Sequence, residues 1–127
     1  SLAIQELRIL CWHQAGVNRT LPGMQKALTS INKDFESLTT QPLLKFMYSH
    51  SKRVCIRFDE ISRRNINLLL DLTNRQLSSA LLLEACLFRR ESRGGHFRTD
   101  SPTSLPYWKC HSRQKLGSPI TTRAVKS

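Results

Sequence analysis

The stretch that decides the fold runs from Glu60 to Arg90 and reads EISRRNINLLLDLTNRQLSSALLLEACLFRR. It contains neither glycine nor proline, and its apolar residues form a stripe too wide for a single helix–helix seam. A helix of this length is roughly 45 Å long, with Asp59 as its predicted N-cap. Residues 81–88 are apolar on nearly every side, which predicts that neighbours cover this end on several sides. Residues 78–80 are small and allow close approach of another helix.

Two shorter helices are predicted before it. Between residues 2 and 15, most apolar residues are three or four positions apart, which is helical spacing. A second helix is expected from about residue 21 to 38. Thr20, just before it, is a good N-cap. Pro22 lies in the first turn, where its missing N–H costs no hydrogen bond within the helix. Residues 42–58 fit either a short helix or a packed loop.

After the long helix the chain is rich in Ser, Thr, Pro and basic residues, with only scattered apolar ones. We interpret residues 97–127 as an irregular, extended tail that packs on the helices or on a domain absent from this chain, with a disordered end. The predicted fold class is all-α: an up-down bundle of three helices in residues 1–96, at about 2–15, 21–38 and 60–91, followed by this basic tail.

Length and charge limit the function. The chain has 127 residues, a length that suits one domain, and a formal net charge of +11. It is too short for most complete flavin- or nicotinamide-dependent oxidoreductases, which need a dinucleotide-binding domain and usually a second one. Residues 89–127 hold nine Lys and Arg against two Asp and Glu, a net of +7. Such an excess fits a polyanion-binding surface, or a basic face that meets an acidic domain of the same protein.

The sequence predicts no membrane partner, because it has no run of about 18 apolar residues. The N-terminal residues lack the pattern of a signal peptide and begin without Met, so we expect a fragment of a longer protein. The expected location is the cytoplasm, or a plastid if the source is plant-like.

The four cysteines follow no CxxC pattern, so a structural zinc site is not expected. Without a secretory signal we expect free thiols, with Cys11 and Cys86 as small core residues. His96, Cys110 and His111 are possible metal ligands, but two adjacent residues are poorly placed to chelate one ion. The sequence therefore predicts no metal site.

No catalytic or nucleotide-binding motif is present. The chain has no GxGxxG fingerprint, no phosphate loop and no motif flanking a nucleophilic cysteine. Aromatic residues make up 7% of the chain, and only Phe97, Tyr107 and Trp108 lie in the basic region, too few for the stacking platforms of a single-strand binder. We expect no nucleic-acid partner, with a basic nucleic-acid module kept as an alternative.

The densest polar cluster follows the long helix at residues 89–102, RRESRGGHFRTDSP. Cations interact favourably with the carbonyls at a helix C-terminus, and Gly94 or Gly95 can adopt the left-handed backbone needed to leave the helix. Glu91 is flanked by arginines and can form a bidentate pair with one of them. The cluster fits a phosphate patch, but its mixed charges fit better a network that fixes the turn and docks it onto another domain.

The same cluster carries a family resemblance. Residues 90–102 resemble the RRESRGxHxxxDxP signature in the C-terminal domain of the succinate dehydrogenase/fumarate reductase flavoprotein family. Residues 7–19 resemble the opening of that domain, and the Trp108 and His111 pair is similar to its WxxH element. The resemblance covers about residues 5–112. The signature residues, predicted to form a docking turn, are Arg90, Glu91, Ser92, Arg93, Gly94, Gly95, His96, Asp100, Pro102, Trp108 and His111.

Within that family the chain looks most like the L-aspartate oxidases, because of the Gly-Gly-His form of the signature and the short chain after Trp108. This resemblance implies a full-length FAD flavoenzyme that oxidises L-aspartate to iminoaspartate in de novo NAD biosynthesis. It also implies that the FAD-binding and capping domains, with the catalytic residues, lie upstream in the same polypeptide and are the partners of this chain. The alternative is the C-terminal domain of a succinate dehydrogenase or fumarate reductase flavoprotein subunit.

The resemblance predicts a structural role. We expect no catalytic and no cofactor-binding residue in this chain, which alone would bind no FAD and be inactive. We expect Glu91, Arg93, His96 and Asp100 to hold the turn after the long helix and to dock it onto the FAD-binding domain.

Overall fold

Three helices form the body of this computed structural model, which describes residues 2–41, 44, 60–115 and 117–125. They are α1 (Leu2–Ala15), α2 (Leu21–Thr39) and α3 (Glu60–Phe88). The three predicted helices are therefore confirmed. The predicted cap Asp59 and, apart from Leu44, the segment 42–58 lie outside the described residues, and so does the end of the tail at 126–127.

The start of α2 follows from its first residues. Thr20 is extended, and its Oγ1 accepts a hydrogen bond of 3.1 Å from the Gly23 N–H. Pro22 lies in the first turn, where backbone N–H groups have no partner within the helix. Thr20 is thus the N-cap, as the sequence predicts.

The core lies where the three helices meet, and α2 makes its most extensive contact with α3. On α3, Ser79 accepts a 3.3 Å hydrogen bond from the Cys11 thiol of α1, so the helices approach closely at the small residues. The buried residues of the core are Leu7, Ala15, Met24, Ala27, Ile31, Ala80, Leu83 and Cys86.

Helix α3 is shorter and less enclosed than predicted. It ends at Phe88 rather than at residue 91, because a side chain from later in the chain takes the carbonyl groups of its last turn. Leu83 faces the core, but Leu81 and Leu82 are 41% and 50% exposed. The prediction that neighbours enclose residues 81–88 on several sides is therefore wrong for Leu81 and Leu82, whereas residues 83–88 are buried or half-buried.

The tail forms a hairpin, so the fold is mostly helical rather than purely all-α. A short 3-10 turn at Pro106–Trp108 leads into β1 (Cys110–Lys115), which pairs antiparallel with β2 (Ser118–Ala124). Gly117 supplies a φ of +70° at the connecting turn, a conformation that favours glycine. The prediction of an irregular tail is thus wrong for residues 110–115 and 118–124. There, backbone hydrogen bonds between the strands order a sequence that has no alternation of apolar and polar residues.

The outer face of the hairpin is basic. His111 is paired with Arg123 across the strands, and Arg113 lies two residues further on the same exposed face. On the other face, the Gln114 side-chain amide donates a 3.0 Å hydrogen bond to the Leu81 carbonyl and ties the hairpin to α3. The hairpin therefore presents its positive charge away from the helices.

The described cysteines carry free thiols: Cys11, Cys86 and Cys110. Burial raises the pKa of the Cys86 thiol, which agrees with its predicted place in the core, whereas Cys11 is half-buried. Across residues 2–41, 44, 60–115 and 117–125, no three His, Cys, Asp or Glu side chains come close enough to hold a metal ion. None of the helices in these ranges is long and apolar enough to cross a bilayer.

Candidate functional site

The main network of polar side chains surrounds the C-terminal end of α3. It joins the last turn of α3, the segment that follows and the link between α1 and α2. We call it the arginine clasp, and its members are Arg19, Arg89, Glu91, Ser92, Arg93, His96, Arg98 and Asp100.

Arg98 ends α3. It is 1% exposed, and its guanidinium lies against the last turn of the helix. It donates hydrogen bonds to the carbonyl oxygens of Cys86, Leu87 and Arg89, at 3.0, 2.9 and 3.1 Å. The carbonyl groups at the C-terminal end of a helix have no hydrogen-bond partner within that helix, and the helix dipole favours a cation beside them. The Asp100 carboxylate pairs with the same guanidinium, which lowers the pKa of Asp100 and balances the buried charge.

Glu91 is fully buried, yet it stays ionised. Its Oε1 accepts hydrogen bonds from Arg89 at 2.6 Å and Arg93 at 2.9 Å. Its Oε2 accepts from Arg93 at 3.1 Å and from the Leu105 backbone N–H at 2.8 Å. The bidentate pair with Arg93 is the main cause that lowers the pKa of Glu91 to about 2, against the opposing effect of burial. The bidentate pair predicted for Glu91 is therefore confirmed.

A tight turn follows Glu91 and Ser92. The Arg93 N–H donates to the His96 carbonyl at 2.8 Å, and the His96 N–H donates to the Arg93 carbonyl at 3.0 Å. Gly94, at the tip, has a φ of +56°, which favours glycine. The sequence predicts a left-handed glycine at the exit from the long helix. The structure places it in this later turn, because α3 already ends at Phe88.

Ser92 folds the segment back on itself. Its buried hydroxyl accepts a hydrogen bond of 2.8 Å from the Arg98 N–H and donates one of 2.7 Å to the Ser101 carbonyl. Its backbone N–H donates to the Thr103 carbonyl at 3.1 Å, and the Ser104 hydroxyl donates to the Ser92 carbonyl at 2.7 Å. These bonds position the backbone from which Arg98 reaches α3.

His96 is held as a neutral ring. Its Nδ1 lies 2.9 Å from a guanidinium nitrogen of Arg19, which can only donate, so Nδ1 is the acceptor. The proton therefore sits on Nε2, which donates to the Arg89 carbonyl at 3.2 Å. Burial lowers the pKa of His96, and the positive charges of three nearby arginines reinforce the effect, while the hydrogen bond to Arg89 opposes it.

Arg19 brings the link between α1 and α2 into the clasp. Its Nε donates to the Ala15 carbonyl at the end of α1, at 3.1 Å. Its backbone N–H donates to the Phe97 carbonyl at 3.2 Å, and its carbonyl accepts from the Thr99 N–H at 2.9 Å. Two segments far apart in the sequence are therefore joined through both side chain and backbone.

Arg89 ties the clasp to the hairpin. Its guanidinium donates to the Trp108 carbonyl at 2.8 Å and the Cys110 carbonyl at 2.6 Å. It also lies over the Trp108 ring, 5.4 Å from the centroid, which is a cation–π geometry. The Phe88 ring packs edge-on against the same indole at 5.4 Å.

The structure brings together part of the predicted docking turn. Arg90, Pro102 and His111 are exposed and lie outside the clasp. Arg19, Arg89 and Arg98 are clasp residues that the predicted docking turn leaves out. The spacing of Arg98 and Asp100 is nevertheless a sequence signal for their pair. The predicted residues that belong to the clasp are Glu91, Ser92, Arg93, His96 and Asp100.

The chemistry of the clasp is that of a structural brace. Its carboxylates, Glu91 and Asp100, are ion-paired with arginines. Its imidazole is hydrogen-bonded at both nitrogens, and its Ser92 hydroxyl both donates and accepts within the chain. These groups are engaged inside the domain, so the clasp offers no poised base or nucleophile to a substrate.

Comparison with known proteins supports the predicted signature. The model of the family described as "Fumarate reductase flavoprotein C-term" matches residues 4–117. The chain is 31% identical over 110 residues to an L-aspartate oxidase of Nostoc sp., covering 85% of this chain and 19% of the relative. It is also 31% identical over 114 residues to an L-aspartate oxidase of Synechocystis sp., covering 84% and 20%.

A shorter match, 45% identical over 47 residues, is to a fumarate reductase (CoM/CoB) of Methanothermobacter marburgensis, and covers 35% of this chain and 9% of the relative. No solved structure matches the chain. The chain spans about a fifth of the length of the two L-aspartate oxidases. The family match extends over most of the chain, including the signature that forms the clasp. The chain therefore belongs to the succinate dehydrogenase/fumarate reductase flavoprotein family, whose C-terminal domain it matches.

Proposed function

We propose that this chain is the C-terminal bracing domain of an L-aspartate oxidase, an FAD enzyme that oxidises L-aspartate to iminoaspartate in de novo NAD biosynthesis. The observation that carries the proposal is the match to two proteins named L-aspartate oxidase, each over more than four fifths of this chain. The proposed location is the cytoplasm, or a plastid in a plant-like source.

The bracing role is supported by what the clasp joins. Arg19 holds the link between α1 and α2, Arg98 holds the end of α3, and Arg89 holds the start of the hairpin. The domain thus keeps one shape, against which the FAD-binding and capping domains of the same polypeptide would rest. The docking of the turn itself stays a prediction.

The start of α2 does not fit FAD. A dinucleotide is held at a helix N-terminus, where a glycine-rich turn and free N–H groups bind the pyrophosphate. At the start of α2, Pro22 has no N–H, and the Leu21 N–H lies near the Asp100 carboxylate, whose pKa it helps to lower. The negative charge of Asp100 would repel a phosphate there. We therefore propose that FAD and the catalytic residues belong to the part of the protein outside this chain.

Anaerobic flavin reduction in the full-length protein tests the proposal. L-aspartate is expected to bleach the flavin absorption band, and succinate is expected to leave it unchanged. The 127-residue chain alone is expected to be colourless and to form no peroxide with aspartate. A flavin band in the isolated chain, or a full-length flavin that L-aspartate does not reduce, contradicts the proposal.

A flavoprotein of a succinate dehydrogenase or fumarate reductase is the second candidate. It is favoured by the fumarate reductase match, which has the higher identity but covers only 35% of this chain. Reduction of the flavin by succinate, without reduction by L-aspartate, would support it.

The nucleic-acid alternative is weakened by the positions of the arginines. Arg19, Arg89, Arg93 and Arg98 bind carbonyl and carboxylate oxygens within the clasp, which leaves the outer face of the hairpin as the main basic surface after α3. Retention of the full-length protein on DNA at physiological salt, lost at higher salt, would support this alternative. We expect no such retention.

A further inference from the structure

Helix α1 is apolar on two opposite sides. At about 100° per residue, one side carries Leu7 and Leu10, which face the core. The opposite side carries Leu2, Ile9 and Trp12, which are 71%, 59% and 74% exposed. A helix on the surface of a soluble protein normally has one apolar stripe, whereas a helix that is apolar on both sides lies between two layers. The outer side of α1 therefore lacks its second layer in this chain.

The exposed side has the composition of a protein–protein interface. Gln5, Arg8 and His13 border Ile9 and Trp12 around a shallow groove of about 420 Å³. Tryptophan and arginine are the residue types that most often contribute binding energy at the centre of interfaces. An apolar centre with amide, guanidinium and imidazole donors at its rim fits a protein surface that has apolar side chains surrounded by carbonyl or carboxylate acceptors.

We propose that the outer face of α1, formed by Leu2, Ile9 and Trp12, is the docking surface for the flavin-binding remainder of the same polypeptide. This inference rests on the proposed function. The matched family is a C-terminal domain, and the chain spans about a fifth of its relatives, so the remainder precedes α1. As the first described element, α1 is joined most directly to that remainder, and the covalent link keeps the effective concentration of this partner high.

The exposed apolar residues in the second half of α3 and the outer face of the hairpin fit this partner less well. Leu77 and Leu81 of α3 line a groove whose other side is formed by Pro119 and Ile120, so the hairpin already covers part of them. Leu82 is 50% exposed on α3, which is farther along the chain from the remainder. The outer face of the hairpin is cationic and suits a polar partner.

Thiol labelling of the full-length flavoprotein tests the proposal. Ile9→Cys and the matched control Leu82→Cys place thiols at positions of similar exposure in this domain, 59% and 50%. Mass spectrometry of maleimide-labelled peptides separates both from the native cysteines. In the folded protein, Ile9→Cys is expected to react at least about tenfold more slowly than Leu82→Cys, because only transient opening exposes it. Both should react alike in denaturant, and Trp12→Cys replaces Ile9→Cys if that variant does not fold.

Equal labelling of the two positions in the folded protein would overturn the docking surface. A second result would also overturn it: a dimer detected by light scattering that dissociates on dilution, with the protection of Ile9→Cys lost at the same time. The partner would then be a second copy of the protein. Labelling needs no substrate. A protein that oxidises L-aspartate but leaves Ile9→Cys unprotected refutes the docking surface alone, and a protein with Ile9→Cys protected but no L-aspartate oxidation refutes the proposed function alone.

Discussion

Arg98 explains, at the scale of one residue, why α3 ends at Phe88. Arg89, Arg90 and Glu91 are all tolerated in helices, so local propensity alone extends the helix to residue 91. The buried guanidinium instead takes carbonyl groups of the last turn, and the chain turns away. Local sequence does not reveal this, because the capping side chain reaches the helix only after the following turn has formed.

Replacing Arg98 with Met should destabilise the domain strongly. The variant leaves the carbonyl groups of Cys86 and Leu87 without this donor and removes the cation paired with Asp100. Losing charge-assisted hydrogen bonds of this kind costs about 3 kcal/mol. Arg90→Met is the matched control, because Arg90 is exposed and outside the clasp. We expect its free energy of unfolding to lie within about 0.5 kcal/mol of that of the wild type. Urea unfolding followed by circular dichroism measures both, and equal free energies of unfolding for the two variants would refute the capping role.

We expect His96 to make the stability of the domain depend on pH. Its pKa is lower in the folded chain than the usual value of about 6.5, so the unfolded chain binds the proton first as the pH falls. The free energy of unfolding is therefore highest above the usual pKa of about 6.5. It falls as the pH falls from there through the folded pKa. His96→Asn keeps an acceptor near the position of Nδ1 and removes the titration. It should cost about 1 kcal/mol at neutral pH, for the lost bond to Arg89, and reduce the pH dependence.

Urea unfolding at about pH 7.5, 6.5 and 5.5 measures this effect across the usual range of a histidine. His111→Asn is the control, because His111 is exposed and outside the clasp. Glu91 does not contribute to the pH dependence in this range. Its pKa is lowered from the usual 4.5 to about 2 in the folded chain, so the stability that its ionised form provides is lost only below about pH 4.5. A pH dependence that is the same in the wild type and in His96→Asn would show that His96 is not its source.

Single residues also show where prediction from sequence stops. The Glu91 ion pair was predictable, because both partners lie within two positions of each other. Arg19 was not, because its partner His96 is distant in the chain and only the folded bundle brings the two together. His111 shows the opposite error, since a place in a family signature does not by itself put a side chain into the clasp.

At the scale of elements, the helices were predictable and the hairpin was not. Apolar spacing and the Thr20 cap mark α1 and α2 locally. In the hairpin, β1 has half-buried residues only at Cys110 and Ser112, and β2 only at Ile120, so there is no apolar alternation to recognise. The one local signal is Gly117, whose positive φ makes the turn.

The turn inside the clasp gives a prediction at this scale. Gly94→Ala should destabilise the domain by about 1 kcal/mol, because a side chain is disfavoured at its positive φ. Gly95→Ala is the control, since a Cβ there meets no atom within 4 Å and its φ is not positive. Thermal unfolding of both variants measures the difference. If Gly95→Ala were as destabilising as Gly94→Ala, the backbone conformation would not be the cause.

At the scale of the whole molecule, the basic side chains that follow α3 lie mainly in two places. Some lie inside the clasp, where arginines pair with Glu91 and Asp100. Others, Arg113 and Arg123, lie on the outer face of the hairpin. The surface proposed to meet the rest of the protein is the apolar side of α1, so the charge does not identify the main partner. Sequence patterns could not locate this face, because exposed and buried apolar residues alternate along α1.

The bracing role is tested most directly by measuring melting temperature and turnover together in the full-length enzyme carrying Arg93→Ala. Arg93 pairs with Glu91 and binds the Leu105 carbonyl at 3.1 Å. With Arg90→Ala as the control, we expect Arg93→Ala to lower the melting temperature by a few degrees. L-aspartate turnover per bound flavin should stay within about twofold of the wild type, because no transition-state contact is removed. A large loss of turnover at an unchanged melting temperature would contradict the bracing role.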